Sequence, residues 1–264
     1  MISLATTNIT KEVFDNVNSA LKEGRIGQGR FNKQFEEDVC KLLEVKHAIC
    51  VNNGTMADMV VMSALKVKRP EKTEVIVPAL TFVAQTNSIL IAGLKPIFVD
   101  VKYDYQIDID KVEEKITDKT LAIFAVHLLG HACEIKKLKE IADKHGIFLV
   151  EDCCEAMAGE VDGKYFGTFG DFGTFSFFPS HTITTGEGGM VVTNDDELAE
   201  LARKVSNHGR KSDNILEKFH FDFVGYNGKM SNLLAAIGCA ILPQAYEVIG
   251  KRRTNVIYIN SFTG

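Results

Sequence analysis

The sequence predicts an α/β fold in which a mostly parallel β-sheet is covered by helices on both faces. Short runs rich in Val, Ile and Phe alternate with stretches of helical periodicity, which is the pattern of parallel strands joined by crossover helices. The 264 residues are 45% hydrophobic and 25% charged, and a chain of this length buries about three quarters of its unfolded surface. Internal repeats, low-complexity tracts and linkers are absent from the sequence, so one large domain is expected.

Each element follows from the same two periodicities. Residues 10–23 and 31–44 have helical spacing, and glycines at 24, 27 and 29 mark the loop between them. Strands are predicted at 47–51, 74–78, 96–101, 121–126, 147–151, 173–178 and 190–193. Helices are predicted at 52–65, 82–91, 110–116, 134–144, 196–205 and 230–241. Gly146 is expected to end the helix at 134–144 as a C-cap.

Charge and composition exclude several classes of function. The formal net charge is −5 without a basic stripe, so nucleic acid is not an expected partner. We find no apolar run near the ~20 residues that span a bilayer and no secretion signal, so no membrane partner is predicted. The six cysteines have no paired metal spacing. They are interpreted as reduced core residues of a cytoplasmic protein, and no metal site is predicted.

The turn at 52–57, Asn-Asn-Gly-Thr-Met-Ala, joins a predicted strand to a predicted helix. A glycine there lets backbone N–H groups and the helix N-terminus face an anion, so Gly54 and Thr55 are candidates for binding a phosphate. The alternative is that the turn only caps the helix.

Acidic residues follow the strand at 147–151, where ligands bind in open α/β sheets. Asp152 in this position could hold a pyridinium nitrogen in its charged form, which makes the ring a better electron sink. The alternative is a solvated strand end or a helix N-cap. Phe82, which begins a helix after Pro78, could stack on a planar ring or belong to the core.

The segment at 173–189 combines with these pieces into an ordered set that resembles the DegT/StrS family of sugar aminotransferases. The segment contains Ser176, His181 and the run Gly186-Glu187-Gly188-Gly189. Each matching piece is short, but their order and spacing agree through almost the whole chain. The pieces are residues 29–36, 46–48, 53–55, 77–84, 98–100, 151–152, 167–171, 176–177, 186–189 and 225–227.

This resemblance implies the large domain of a fold type I enzyme, with a seven-stranded type of sheet and pyridoxal 5′-phosphate or pyridoxamine 5′-phosphate as cofactor. It implies a nucleotide sugar and glutamate as small-molecule partners, in deoxysugar biosynthesis for the lipopolysaccharide O-antigen. It also implies a homodimer with shared active sites. The site residues carried over are Gly54, Thr55 and Ser176 for the phosphate, Asp152 for the ring nitrogen, Glu155 for the ring hydroxyl, Phe82 for the ring face and Asn227 for the neighbouring subunit's phosphate.

His181 stands where most of the family has the lysine that binds the cofactor covalently. An imidazole cannot form that bond, but it titrates near neutral pH and is a competent general acid or base. This departure resembles the 3-dehydratase branch, which removes the 3-hydroxyl of 4-keto-6-deoxy nucleotide sugars, and His181 and Asp152 are its expected catalytic residues. The iron–sulfur type of that branch is not favoured, because the chain has no cysteine between Cys154 and Cys239. The GDP-4-keto-6-deoxymannose type is preferred.

Several alternatives stay open at the level of sequence. The chain could be a 4-keto-sugar aminotransferase with an unusual base, an aminotransferase carrying a Lys→His replacement, or a non-catalytic protein that binds the cofactor or sugar. The nucleotide could be GDP, CDP, UDP or dTDP.

Two further departures concern Lys229 and the C-terminal end. Lys229 stands where relatives usually have arginine, so the charge is kept but the bidentate fork is lost. Relatives continue beyond the position of Gly264 with a small domain. We therefore expect residues 1–250 to form the cofactor-binding domain with its N-terminal helical segment, and 251–264 to begin a truncated small domain.

Overall fold

The computed structural model describes residues 9–211, 214, 217 and 219–263. A seven-stranded sheet forms its centre. The strands are β1 (His47–Val51), β2 (Glu74–Pro78), β3 (Lys95–Val99), β4 (Thr120–Val126), β5 (Phe148–Asp152), β8 (Phe172–Ser176) and β9 (Gly189–Thr193). A short separate hairpin is formed by β6 (Glu160–Val161) and β7 (Lys164–Tyr165).

The sheet is mostly parallel, as predicted. Its strand order is β1-β9-β8-β5-β4-β2-β3. The pairs β2/β3, β2/β4, β4/β5 and β5/β8 are parallel, whereas β9 pairs antiparallel with both β8 and β1. All seven residues of β4 are buried, which is expected of a strand in the interior of a sheet covered on both faces.

Nine α-helices accompany the strands in the described part of the chain. They are α1 (Lys11–Lys22), α2 (Arg30–Leu43), α3 (Gly54–Lys68), α4 (Val83–Ile91), α5 (Ile109–Val112), α6 (Ile135–His145), α7 (Asp196–Ser206), α8 (Asn232–Ile241) and α9 (Ala245–Thr263). Three 3₁₀ turns lie at Glu113–Lys115, Leu128–Gly130 and Leu242–Gln244. Gly146 ends α6 in the left-handed region, with φ of 61°, which confirms the predicted C-cap.

The core has two layers, one on each face of the sheet. In the first layer, Phe35 of α2 and Leu138 of α6 pack against the sheet, and α8, which carries Ala235, packs against α2. In the second layer, Val61 of α3 and Ala202 of α7 pack against the opposite face. The two layers confirm the predicted helix–sheet–helix architecture.

The elements differ from the predicted ones mainly in four places, three in the middle of the chain and one near its C-terminal end. The predicted helix at 110–116 is one helical turn followed by a 3₁₀ turn, and the predicted strand at 173–178 ends at Ser176. The hairpin β6–β7 and the helix α9 were not predicted. Because α9 runs without a break across residues 250 and 251, the division into two domains at that point remains a prediction.

The helical run Asn232–Phe262 is long and apolar enough to cross a membrane by length and composition alone. We predicted no such run from the sequence. The most apolar window has a mean hydropathy of 1.6 and is 39% buried, and α8, its first part, packs against α1 and α2. A buried core helix meets the same criteria of length and composition as a membrane span, and the packing of α8 is that of a core helix.

Candidate active site

A cavity of about 470 Å³ opens at the carboxyl edge of the parallel strands, where ligands bind in open α/β sheets. Seven of the eight predicted site residues line it. They are Gly54, Thr55, Phe82, Asp152, Glu155, Ser176 and His181. The fold therefore brings together residues that are up to 127 positions apart in the sequence, since 181 − 54 = 127.

The N-terminus of α3 forms one wall of the cavity. Asn53 caps the helix, because its side-chain oxygen accepts a hydrogen bond from the N–H of Met56 at 2.7 Å. Gly54 lies so close to Ser176 that a Cβ added to it would come within 2.6 Å of the Ser176 Cβ. The turn therefore caps the helix and also places the first helical turn beside the Ser176 hydroxyl, which is an arrangement suited to a phosphate.

Asp152 ends β5 and points into the cavity. Its side chain is almost fully buried, so the alternative of a solvated strand end is wrong. Since a turn and not a helix follows it, the alternative of a helix N-cap is wrong too. Burial raises the pKa of its carboxyl, whereas the hydrogen bond from the N–H of Cys154 at 2.8 Å and the nearby His127 favour the charged form.

Phe82 and Glu155 lie at the opening of the cavity. Phe82 is 69% exposed at the start of α4, so it is not a core residue, and its ring is accessible for stacking. Glu155 is exposed, and its carboxylate accepts a hydrogen bond from the N–H of Leu129 at 2.5 Å. One side chain thus offers an apolar ring face and the other a fixed acceptor.

His181 lies in the loop that joins β8 to β9, with its ring half-buried against the cavity. The backbone N–H of His181 donates a hydrogen bond to the carbonyl of Phe178 at 3.0 Å. The backbone carbonyl of His181 accepts one from the guanidinium of Arg252 in α9 at 3.1 Å. Burial lowers the pKa of the imidazole below the ordinary value of 6.5, opposed by the charge of Glu155 and assisted by that of Arg252. The ring is therefore mostly neutral at neutral pH and able to accept a proton.

Asn227 is the one predicted site residue that does not line the cavity. It forms an isolated β-bridge with Asn207, whose side-chain oxygen accepts a hydrogen bond from Lys229 at 2.9 Å. The predicted role of Asn227 in a neighbouring subunit's site stays a prediction.

The sequence reasoning missed other residues of the cavity, including Asp58, Gln85, Cys154, Ser180 and Glu187. Asp58 carried a signal that could have been used. It stands four residues after Gly54, one helical turn away, in a helix that is otherwise apolar over several residues.

A buried network below the cavity holds the loop that precedes β8. Glu151 accepts hydrogen bonds from the N–H groups of Gly167, Phe169 and Gly170 at 2.7–3.0 Å. It also contacts His127 at 3.2 Å. These bonds use both of its carboxylate oxygens, so we interpret this acid as part of the scaffold and not of the site.

Three observations show that the cavity fits a pyridoxal-type cofactor. Gly54 and Ser176 lie side by side at a helix N-terminus, which is an arrangement that suits a phosphate. Asp152 offers a buried carboxyl for a protonated ring nitrogen, and Phe82 offers a ring face. The volume of about 470 Å³ lies in the range of small-molecule sites.

Comparison with known proteins adds the deciding observation. The model of the DegT/DnrJ/EryC1/StrS aminotransferase family matches residues 7–262. The chain belongs to this family. The resemblance seen in the sequence is thereby confirmed, and family membership makes the chain a pyridoxal-phosphate-dependent sugar enzyme of the aminotransferase or 3-dehydratase type.

Two relatives within the family are named for different enzymes. The chain is 41% identical to a GDP-perosamine synthase of Vibrio cholerae, over 94% of this chain and 67% of the relative. It is 33% identical to a GDP-4-keto-6-deoxy-D-mannose 3-dehydratase of Yersinia pseudotuberculosis, over 96% and 69%. The chain thus spans about two thirds of the length of these relatives.

Solved structures of family members share the fold. A mutant of GDP-4-keto-6-deoxymannose-3-dehydratase with bound GDP-perosamine superposes with a TM-score of 0.93 at 32% identity, over 100% of this chain and 73% of the other. The aminotransferase PseC of Helicobacter pylori superposes with a TM-score of 0.86 at 30% identity, over 92% and 65%. Both types of DegT/DnrJ/EryC1/StrS enzyme therefore have this architecture.

Proposed function

We propose that the chain removes the 3-hydroxyl of a 4-keto-6-deoxy nucleotide sugar, with His181 as the acid and base in place of a lysine. The observation that carries this proposal is the position of His181 in the cavity that fits the cofactor, with an imidazole kept mostly neutral by burial. Because an imidazole cannot bind the cofactor covalently, the protein would have to hold the cofactor by non-covalent contacts. A neutral imidazole is suited to proton transfer.

The other residues of the cavity would hold the cofactor. Gly54, Thr55 and Ser176 bind its phosphate, Asp152 its ring nitrogen, Glu155 its ring hydroxyl and Phe82 its ring face. Pyridoxamine 5′-phosphate, when bound, supplies an amino group for the sugar's keto carbon and a ring that accepts electrons.

His181 then has two tasks. With the cofactor bound, its neutral ring nitrogen would act as the base that accepts a proton. The imidazolium so formed would act as the acid that protonates the departing 3-hydroxyl of the sugar. The proposed sugar carrier is GDP, as in the 3-dehydratase relative, and glutamate is the proposed amino donor.

A second copy of the chain is proposed to complete each site. Asn227 lies outside the cavity of its own chain and would contact the phosphate in the neighbouring subunit. Mixing Asn227→Ala chains with His181→Asn chains tests this, since each mixed dimer would then contain one intact site. Recovery of activity on mixing supports the arrangement, whereas two inactive proteins that stay inactive contradict it.

The second candidate is a nucleotide-sugar aminotransferase. It is favoured by the 41% identity to a GDP-perosamine synthase, which exceeds the 33% to the 3-dehydratase. In that case His181 moves a proton without expelling a hydroxyl, and the product carries an amino group.

One experiment separates these activities. The protein is incubated with pyridoxamine 5′-phosphate, glutamate and GDP-, CDP-, UDP- or dTDP-linked 4-keto-6-deoxy sugars, and the products are identified by mass. Loss of the 3-hydroxyl with release of ammonia supports the dehydratase, and a gained amino group overturns it. Tight cofactor binding without turnover indicates a non-catalytic protein.

A borohydride control tests the role of His181 directly. The wild-type protein should yield no covalent cofactor adduct after reduction, because an imidazole cannot bind the aldehyde as a lysine does. His181→Lys restores an amino group at the same place and should yield the adduct. A reduced adduct on the wild-type protein would exclude the proposed role of His181.

A further inference from the structure

Asp58 is a buried carboxyl in the floor of the cavity with no assigned function. It lies on α3, one turn after Gly54, and is fully buried while lining the cavity. Neither of its carboxyl oxygens has a hydrogen-bond partner among the described residues. A buried carboxylate that carries its charge without a hydrogen-bond partner is strongly unfavourable. The Asp58 carboxyl must therefore either keep its proton or receive a cationic partner.

Asp152 is the neighbouring acid of Asp58. The two side chains line the same cavity, and burial, followed by the charge of Asp152, raises the pKa of Asp58 well above its ordinary value. Thr174 lies opposite Asp152 in the parallel register of β5 and β8. Its hydroxyl lies near enough to Asp58 to oppose that rise in pKa, although it makes no well-formed hydrogen bond among the described residues. The floor therefore contains two acids, of which Asp152 accepts a hydrogen bond from the N–H of Cys154 and Asp58 has no hydrogen-bond partner among the described residues.

The remaining titratable groups around this pair come from two segments. Cys154 lies two residues after the end of β5. Burial, followed by the charges of Asp152 and Asp58, raises the pKa of its thiol well above the ordinary value. His127, directly after β4, favours the charged form of Asp152, and Glu155 opposes it. Asp152 is thus the acid whose charge is supported by neighbours, and Asp58 is the acid that keeps the proton.

We propose that Asp58 and Asp152 form a carboxyl pair holding one proton and one negative charge, and that Asp58 is a positioning residue that acts on the cofactor's ring nitrogen through Asp152. The inference rests on the proposed placement of the cofactor. When the ring nitrogen lies against Asp152, the pair can give up its proton: one O–H bond breaks, one N–H bond forms, and no electrons are exchanged. If the ring already carries a proton, its positive charge releases the proton of the pair to solvent.

Both routes predict the same difference in proton exchange. The wild-type protein should take up fewer protons from the buffer on binding pyridoxamine 5′-phosphate, or release more, than Asp58→Asn, by up to about one proton per site. Titration calorimetry of the full chain in buffers with different heats of ionisation measures this number. By linkage, the Kd of the wild type should fall relative to the Kd of Asp58→Asn as the pH rises, by up to about tenfold per pH unit.

Thr174→Val is the matched control. It removes a neighbouring buried polar group that also lacks a partner, but it removes no titratable proton, so its proton exchange should equal that of the wild type. Asp58→Leu is a second variant that keeps the measurement possible if the asparagine variant does not fold. Equal proton exchange by the wild type and a cofactor-binding Asp58 variant overturns the inference, and so does an equal change caused by Thr174→Val.

Failure of the proposed site gives different results. A wild-type protein that does not bind pyridoxamine 5′-phosphate, or an Asp152→Asn variant that binds it as tightly as the wild type, contradicts the cofactor placement itself. Infrared spectroscopy without cofactor supplies an independent readout of Asp58. The wild type should show a protonated carboxyl band at neutral pH that Asp58→Asn lacks, and an unchanged band also overturns the inference.

Discussion

At the scale of single residues, the chemistry of the site depends on two side chains whose pKa values are shifted in opposite directions by burial. Burial lowers the pKa of His181 because it disfavours the imidazolium. It raises the pKa of Asp58 because it disfavours the carboxylate. In both cases burial favours the neutral form. Near neutral pH the cavity therefore contains an imidazole that can accept a proton, His181, and a carboxyl that can donate one, Asp58.

The pH dependence of activity should report His181. Its ordinary pKa is 6.5 and the folded value is lower, so kcat/KM should stay high down to below that pH and fall on the acid side as the imidazole becomes protonated. Rate measurements over the acid range check this. Glu155→Gln removes the charge that favours the imidazolium and should move the acid limb to lower pH; a shift to higher pH would contradict this assignment.

Replacement of Asp58 should stabilise the empty protein. The ordinary pKa is 3.8 and the folded value lies well above it, so between the two values the folded state binds more protons than the unfolded state. Stability therefore falls as pH rises through this window. Asp58→Leu should raise the free energy of unfolding by about 1–3 kcal/mol at neutral pH, with a smaller gain in acid. Urea unfolding at several pH values measures it, and a gain independent of pH would be evidence against a protonated Asp58.

The residues that could be predicted from the sequence are those whose type matches a known chemistry at a recognisable place. Asp152 ends a strand, Gly54 begins a helix and His181 replaces a lysine. Asp58 could not be assigned in the same way, because its burial depends on the packing of α3 against the sheet. A single acid in an apolar helix does not reveal which residue it faces.

At the scale of elements, the N-terminus of α3 is packed tightly against the end of β8. In Gly54→Ala the new Cβ would lie 2.6 Å from the Ser176 Cβ, so α3 or β8 must shift. We expect a loss of about 1–3 kcal/mol in the free energy of unfolding and weaker binding of pyridoxamine 5′-phosphate. Urea unfolding and fluorescence titration measure the two effects. Gly27→Ala, where an added Cβ meets nothing within 4 Å, should change neither.

The contact between α9 and the histidine loop allows a second test at this scale. Arg252 donates to the carbonyls of Ser180 and His181 at 3.4 and 3.1 Å, and its charge lowers the pKa of the imidazole. Arg252→Ala should raise the pKa of His181 and lower kcat, since the loop loses two fastening bonds. Proton NMR titration of the imidazole checks the first effect. Lys251→Ala, one position away in an exposed pair with Glu247, is the matched control and should leave the titration unchanged.

Most elements could be predicted because their periodicity is strong, and the two that were missed differ in kind. The hairpin β6–β7 turns at Asp162-Gly163, where both residues have positive φ. An Asp-Gly pair is a known signal for this turn, so the hairpin could have been found. Helix α9 could not have been found from the sequence, because its apolar residues are spread around the whole helix and form no periodic stripe. Residues 251–262 are accordingly exposed.

At the scale of the whole molecule, the sheet order explains why distant segments meet in one cavity. The strands β2, β4, β5 and β8 are parallel neighbours, so their carboxyl ends lie at one edge and the loops that follow them converge there. The alternation of strands and helices predicted this architecture. The antiparallel placement of β9 between β1 and β8 could not be predicted, because it depends on which strands pair in space.

Binding of the cofactor should stabilise the whole domain. The proposed contacts join α3, α4, β5 and β8, so ligand binding resists unfolding of the entire sheet. At a ligand concentration of 100 Kd the gain is about 2.7 kcal/mol, or roughly 5–10 °C in Tm for a domain of this size. Calorimetry with pyridoxamine 5′-phosphate measures it. Pyridoxamine without the phosphate lacks the group that α3 would bind and should give a much smaller shift; equal shifts would argue against the proposed phosphate site.

Helix α9 has a mechanical consequence. Its 19 residues extend for about 28 Å. Tyr246, at one end, is hydrogen-bonded to Tyr165 of the hairpin at 2.8 Å. Arg252, further along the helix, donates a hydrogen bond to the carbonyl of His181, and residues 253–262 are exposed. The helix is therefore held near Tyr246 and at Arg252. A displacement of its exposed C-terminal part would move the backbone of His181 through the Arg252 hydrogen bond.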